Sequence, residues 1–441
     1  MIVGTMKVLR IVKSHWLFSL IILLLIVIKV LSIIDLGYDY SINSDDLSYI
    51  NSGITLYEEG KITMHGVTSA QIMPGLPIII AMFCFLFGIG ATLILVLKIF
   101  YAILFIITVI VFYKIALLFS NKYIASIVSL FFIAPDYIWM NNLILTETPF
   151  ILFMLLLIYY SLLFLRNHRN KDFYLMLLYF IIAIYIRPNI IVFPIALLIC
   201  LLIQKYNIKE LVRKLILGIS IVIISLIPWI YRNYKTFDMF IPLTYGSGNP
   251  LLLGTYQGSG YPLDEELNYE ILNDSMSKEM QYYLSENHPR DKYKVYYSLE
   301  YDKLKAEYRI SEWWKADKVS FIKSYLIFKP KIMLYSSFYW EEVFNIDIKV
   351  NLAFRIIDLV LFLISSILIL IYRTNLLEYA FLMIFYILQI ILYCVAFAYE
   401  RYAITLFPIR FIIIAIGLYI GYSKIKTLLK KTQRINLAEN Q

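Results

Sequence analysis

Apolar runs close to the length of a membrane-spanning helix recur through this chain, from residues 16–34 to residues 402–422. A helix needs roughly 20 predominantly apolar residues to cross a bilayer, so the pattern restricts the fold to a bundle of such helices joined by loops. Composition agrees. Of 441 residues, 61% are apolar and 16% charged, against roughly 45–50% and about 25% in soluble domains. The first run is flanked by Lys7, Arg10 and Lys13 as a signal peptide would be, but it is long and no Ala-x-Ala-like site follows, so it is expected to stay as an anchor. Cys84, Cys200 and Cys394 lie inside apolar runs and point to neither a disulfide framework nor a metal cluster.

The net charge is +9, yet the basic residues concentrate in short loops rather than on one soluble domain, which argues against a nucleic-acid surface. Under the positive-inside rule the clusters Lys7/Arg10/Lys13, Arg166/Arg169/Lys171, Lys205/Lys209/Arg213/Lys214 and Lys424/Lys426/Lys430/Lys431 are cytoplasmic. Threading from either end then places 35–75, Glu147 and 232–349 outside. Residues 77–147 must hold an even number of crossings, expected as two full spans plus a short broken hairpin. The expectation is an all-α polytopic membrane protein of about 10–12 transmembrane helices, with a first external loop of juxtamembrane helices and a larger extracytoplasmic loop domain. Its parts are 1–231, an N-terminal membrane module with a catalytic loop at 35–75; 232–349, too polar to insert and ending in interfacial helices; and 350–441, the C-terminal helices and basic tail.

Two adjacent acids, Asp45 and Asp46, stand about one helical turn beyond the first run. Ionisable groups beside a bilayer are costly and usually functional. On a helix over 44–56, Asp45 and Tyr49 share a face and Ser52 continues it. Ser44 or Asp45 could serve only as a helix cap, but a cap needs one such side chain, and two acids follow Ser44. Glu147 opens a later run and either complements a helix dipole or joins Asp45, where the two carboxylates would share a proton or a divalent metal cation. Arg187, Arg232, Arg401 and Arg410 lie at ends of runs or inside one, and arginine suits phosphate because its fork donates two hydrogen bonds. A structural ion pair is the equal alternative, with Glu400 or Glu378 as partner for Arg410. His65 is the only histidine of the first loop and is read as incidental. Met73 to Pro77 is expected to shape entrance into the next span.

The stretch Asp45-Asp46-x-x-Tyr49-x-x-x-Gly53, with Gly60 and Pro74-x-x-Pro77 after it, resembles the first-loop pattern of the polytopic GT-C glycosyltransferases. The likeness is to the bacterial branch that is similar to protein O-mannosyltransferases and to transferases adding aminoarabinose to lipid A. Pro228-Trp229-x-x-Arg232-Asn233, followed by Phe240-x-Pro242 and Gly246-x-Gly248-Asn249, is similar to the signature opening that family's large external loop. Weaker matches are Leu145-Thr146-Glu147-x-Pro149, Arg187-Pro188-Asn189 and Glu400-Arg401-Tyr402. The chain departs from the family in having Asp-Asp for Asp-Glu, and Pro-Gly-Leu-Pro for a Lys-Pro-Pro run.

The resemblance implies a plasma-membrane enzyme whose catalytic face is extracytoplasmic. It would move a sugar from a polyprenyl-phosphate donor to an envelope glycan, lipid or protein acceptor by inverting single displacement. Asp45 would be the base, Asp46 would assist, and Glu147 would be the second acid. Tyr49, Arg187, Arg232, Asn233, Arg401 and Arg410 would bind substrate, with Asp45 and Glu147 able to hold a metal. No nucleotide cofactor and no nucleic-acid partner are expected. The competing readings are a sugar transporter or lipid flippase, which also fits many spans with intramembrane charges, and an O-antigen-type polymerase or ligase, which would not need an acid pair directly after the first span.

Overall fold

The computed structural model describes residues 14–439, so the Lys7/Arg10/Lys13 cluster lies outside the described residues. Among the described residues seven helices are long and apolar enough to cross a membrane. They are α1 (Trp16–Leu36), α4 (Ala91–Leu117), α7 (Glu147–Asn167), α10 (Ile208–Phe237), α16 (Ile348–Tyr372), α17 (Leu376–Val395) and the part of α19 (Phe407–Glu439) that reaches Lys430. Between them lie α2 (Asp45–Glu59), a two-residue hairpin β1 (Thr63–Met64) and β2 (Val67–Thr68), and α3 (Gly75–Phe87). α5 (Lys122–Ser129) and α6 (Pro135–Met140) follow α4, and α8 (Asn170–Ile186) and α9 (Phe193–Ile203) follow α7.

Contacts at the two ends of these helices give their directions. Lys98 of α4 donates from Nζ to the carbonyl of Tyr40 at 2.6 Å and to that of Asn142, and the Tyr101 hydroxyl donates to the Leu145 carbonyl at 2.6 Å. The start of α4 therefore sits beside the end of α1 and the start of α7. Its other end meets the basic loops, where Arg166 donates to the Leu118 carbonyl at 3.1 Å and Lys122 to that of Ser14 at 2.9 Å. The return crossing is broken. α5 starts under an Asn121 cap that accepts from the Tyr123 and Ile124 amides, passes through a 3₁₀ turn, and restarts at Pro135, which lacks the amide an unbroken helix would need. Its end returns to the first side, where Trp139 Nε1 donates to the Tyr40 hydroxyl at 2.9 Å.

The segment 77–147 thus makes two crossings, as parity requires, but not the two full spans and hairpin expected. One crossing is α4 and the other is broken. α3 has 13 residues, about 20 Å at 1.5 Å per residue and short of a hydrocarbon layer of about 30 Å. It lies along α2 at the Asp45 end instead. A Cβ at Gly75 would come within 2.5 Å of the Tyr185 carbonyl, so only glycine lets α3 start against the end of α8. The broken piece, the 17-residue α8, and α9 extended to Pro188 by the 3₁₀ turn before it lie between the seven long helices; counted as crossings among the described residues they make ten, the lower end of the expectation. Phe112, Phe132, Tyr137 and Phe411 meet at steep angles in the centre, with ring centroids 5.2 to 6.3 Å apart.

Residues 238–347 cover the Asp45 end with α11 (Gly248–Gly254), α12 (Lys278–Leu284), α13 (Lys292–Ala316), α14 (Lys318–Lys323) and α15 (Lys329–Tyr335). Arg309, buried in α13, organises them. It donates to Thr255 Oγ1 at 2.8 Å, Asp264 Oδ1 at 2.6 Å and the Pro262 carbonyl at 2.8 Å, and stacks on Tyr256. α11 reaches the membrane helices through Gly254, where a Cβ would stand 1.7 Å from the Ala396 carbonyl.

The position of α3 is testable with a membrane-impermeant maleimide, since Cys84, Cys200 and Cys394 are all buried. Ile89→Cys, in the turn after α3, should label from the same side as Tyr57→Cys and from the opposite side to Lys205→Cys. Labelling of Ile89→Cys together with Lys205→Cys would mean that α3 crosses.

Candidate active site

The loop before α2 is closed by Asp46. Its carboxylate accepts from the Ile42 amide at 3.0 Å and the Ser44 amide at 3.1 Å, and it is buried. Ser44 makes no capping bond through its side chain. Asp46 therefore has a backbone task, and the acid free to face the bundle is Asp45, whose side chain is 33% exposed.

Asp45 is the open end of a chain of charges. Its Oδ2 accepts from Arg401 Nη1 at 2.6 Å, and Arg401 Nε donates to Glu147 Oε1 at 2.6 Å. Arg187 Nη1 donates to the same Glu147 oxygen at 2.7 Å. Arg401 belongs to the short helix α18 (Glu400–Ala403) and Glu147 opens α7, where Pro149 suits the first turn. Glu147 is fully buried, and the two arginine side chains are only 12% and 11% exposed. Burial works against the Arg401 charge, but Glu147 and Asp45 more than offset it and hold its pKa above the ordinary guanidinium value. The Arg187 guanidinium also lies 5.0 Å from the ring of Tyr402, which stacks on Tyr393. Tyr49 shares the Asp45 face of α2. Burial, aided by Asp45 and Glu147, pushes its phenol up to about 12, so it remains a neutral hydroxyl.

The Pro228-Trp229-x-x-Arg232-Asn233 residues act on backbone. Trp229 Nε1 donates to the Leu243 carbonyl at 2.6 Å and Asn233 Nδ2 to the Ile241 carbonyl at 2.9 Å. Arg232 donates to the carbonyls of Ser69 at 2.9 Å and Ile62 at 3.2 Å, the two ends of the β1–β2 hairpin. Arg232 and Asn233, which the family resemblance would place on substrate, brace the loops beside Asp45. Arg410 stands apart from the Asp45 group. It is buried in α19 and pairs with Asp358 at 2.5 Å, which pairs with Arg355 at 2.8 Å, which grips Asp136 at 2.7 and 2.9 Å. Glu400 and Glu378 are paired elsewhere, with Trp340 and Arg166.

His65 was missed. It stands at the tip of the braced hairpin with Nε2 3.6 Å from Asp45 Oδ1 and Nδ1 2.9 Å from Ser48 Oγ. The available signal was His65-Gly66 between Thr63-Met64 and Val67-Thr68, a two-residue hairpin pattern whose tip points back at α2. A resident divalent cation does not fit this donor set. The Arg401 guanidinium occupies the space between Asp45 and Glu147, and a metal would have to displace it. Among the described residues no three His, Cys, Asp or Glu side chains form a group able to hold a metal.

A carboxylate with one oxygen tied to arginine and the other facing outward can take a proton, and the flanking guanidiniums can neutralise an anion. Residues 72–231 match the family model described as dolichyl-phosphate-mannose-protein mannosyltransferase. This is the family the sequence resembles. The matched segment contains Glu147, Arg187 and Trp229, and leaves Asp45 and Arg401 outside it. Two solved structures are similar, both of ArnT from Cupriavidus metallidurans, one bound to undecaprenyl phosphate and one in the apo state. Each is 13% identical with a TM-score of 0.42, over 93% and 92% of this chain and 78% of theirs. No curated protein matches at a significant level. The helical fold is that of a multi-pass membrane protein, and the family match extends over little more than a third of it.

The two acids should respond differently to neutralisation. Glu147→Gln leaves Arg187 and Arg401 short of a buried partner, an expected loss of about 3–5 kcal/mol. Asp45→Asn removes a partly exposed charge and should cost about 1 kcal/mol or less. Thermal unfolding of the purified variants in detergent should therefore show a much lower Tm for Glu147→Gln alone.

Proposed function

We propose that the protein transfers a sugar from a polyprenyl-phosphate carrier to a hydroxyl of an envelope glycan, lipid or protein, with Asp45 as general base. The reading rests on one observation above others: the Arg187–Glu147–Arg401–Asp45 chain ends in a carboxylate with one oxygen free. The family match supports a lipid-phosphate sugar donor. The basic loops gather at the opposite end of the helices, which supports an extracytoplasmic reaction in the plasma membrane.

In this mechanism the acceptor hydroxyl donates its hydrogen bond to Asp45 Oδ1. Its oxygen attacks the anomeric carbon as the bond from that carbon to the phosphate oxygen breaks, and the proton passes to Asp45. Attack opposite to the leaving group inverts the anomeric centre. Phosphate leaves without a general acid because Arg187 and Arg401 stabilise its charge. Glu147 keeps both arginines in place without meeting the substrate. Arg401 also holds Asp45 by Oδ2, which leaves Oδ1 for the acceptor. Tyr49, neutral and buried beside them, borders the sugar position.

Mass spectrometry of envelope glycans and lipids from a deletion strain tests this reading, with rescue by wild type and by Asp45→Asn at matched membrane expression. Wild type should restore one sugar. Asp45→Asn should fall by about 10²-fold or more, the usual contribution of a general base. Full rescue by Asp45→Asn would remove Asp45 as the base. An unchanged glycan profile with altered lipid-linked precursors would favour a flippase instead.

A further inference from the structure

The β1–β2 hairpin is short and expensive to make in this form. Its register pairs Thr63 with Thr68 and Met64 with Val67, which leaves His65 and Gly66 as the two turn residues. Both have positive φ, 50° and 79°, as a turn of the type I′ family requires. Asparagine is the usual residue at the first of these positions, and histidine gives up some of that conformational preference. The hairpin is nevertheless held firmly. Arg232 grips the carbonyls at both its ends, the Thr63 amide donates to Ser52 Oγ on α2 at 3.2 Å, and the Ser69 amide donates to the Ile62 carbonyl at 2.9 Å. A small loop braced from two helices presents one imidazole, with its side chain 48% exposed, to the carboxylate of Asp45. Packing does not explain such a histidine, because its ring is not in the core.

The ring has a defined direction. Nε2 faces Asp45 Oδ1, the oxygen that Arg401 does not hold, and Nδ1 meets Ser48 Oγ one turn along α2. A lone pair on Nε2 would repel the carboxylate, so the proton belongs on Nε2 and Ser48 donates to Nδ1. Asp45 is then held from both sides: Arg401 fixes one oxygen, and the imidazole N–H draws the other. At 3.6 Å this second contact is longer than a hydrogen bond, which leaves the free oxygen able to accept from a hydroxyl. The torsion that turns a carboxylate plane is soft, so a second attraction decides where the free oxygen points.

We propose that His65, supported by Ser48, is a positioning residue that aims Asp45 Oδ1 at the incoming acceptor. This rests on the reading of Asp45 as the base of a lipid-phosphate glycosyltransferase.

His65→Asn separates the ring from the turn. Asparagine suits the turn at least as well as histidine but is too short to reach Asp45, so the hairpin survives and the contact is lost. In the deletion strain, sugar restored per unit of membrane protein should fall about tenfold for His65→Asn, since small misplacements of reacting groups cost rates of this order or more. His65→Gln, whose amide N–H extends further, should recover part of the loss. The thermal stabilisation of the purified protein by undecaprenyl phosphate, used as the probe, should be unchanged in both variants. Wild-type transfer by His65→Asn would overturn the proposal. So would loss of the undecaprenyl phosphate response together with transfer, because the residue would then support the whole site and not the base. A wild-type protein that restores no sugar would sink the transferase reading itself, and the role of His65 with it.

Discussion

Arg401 ties together parts of the chain that are far apart in sequence. Its guanidinium bonds Asp45, 356 residues away, and Glu147, 254 residues away. The Glu147 pair lies in an interior with little water, where an unpaired member would be costly, while the Asp45 end is partly exposed. The fork matters as much as the charge. Nε and Nη1 point in different directions from one rigid plane, so a single side chain sets the distance between the two acids, which a lysine ammonium would not do. Arg187 completes the neutralisation of Glu147 from the end of α8. The first loop, α7, α8 and α18 are thus placed relative to one another by three residues around one buried carboxylate.

The same principle governs the other charges in the bundle. Asp136, Arg355, Asp358 and Arg410 form a second paired chain that joins α6, α16 and α19, away from the Asp45 group. Arg309 does similar work in the covering segment, with Asp264 and three backbone or hydroxyl acceptors. Arg232 differs in that its partners are carbonyls. It fixes the β1–β2 hairpin, and through that hairpin it decides where His65 stands. The signature it belongs to therefore serves the site by bracing backbone.

How much of this was legible beforehand varied with the kind of signal. Hydropathy and loop charge described the helical bundle and the parity of 77–147, because both depend on residues close in sequence. They misplaced α3, since a 13-residue apolar helix reads the same whether it crosses lipid or lies along a neighbour. Asp45, Glu147, Arg187 and Arg401 were singled out, and the structure brings all four together. Asp46, Arg232 and Arg410 were singled out for their type and place, and Asn233 for its place in the family signature, and all four are bonded to backbone or to other charges away from the Asp45 group. Residue type and position near a membrane end do not distinguish these cases. His65 carried no weight as a lone histidine, and its place became visible only once the hairpin was folded against α2.

By itself the sequence determined that this chain is a helical membrane protein, where its basic loops lie, and that an acid pair follows the first span. These are consequences of local composition, which the bilayer reads one helix at a time. Tertiary structure alone decided which acid of the pair faces the bundle and which arginines reach it. Those choices depend on the meeting of helix ends separated by hundreds of residues. Charges in a dry interior must find partners across such distances, and the pairing they settle into divides the groups that brace the fold from the one carboxylate left partly exposed.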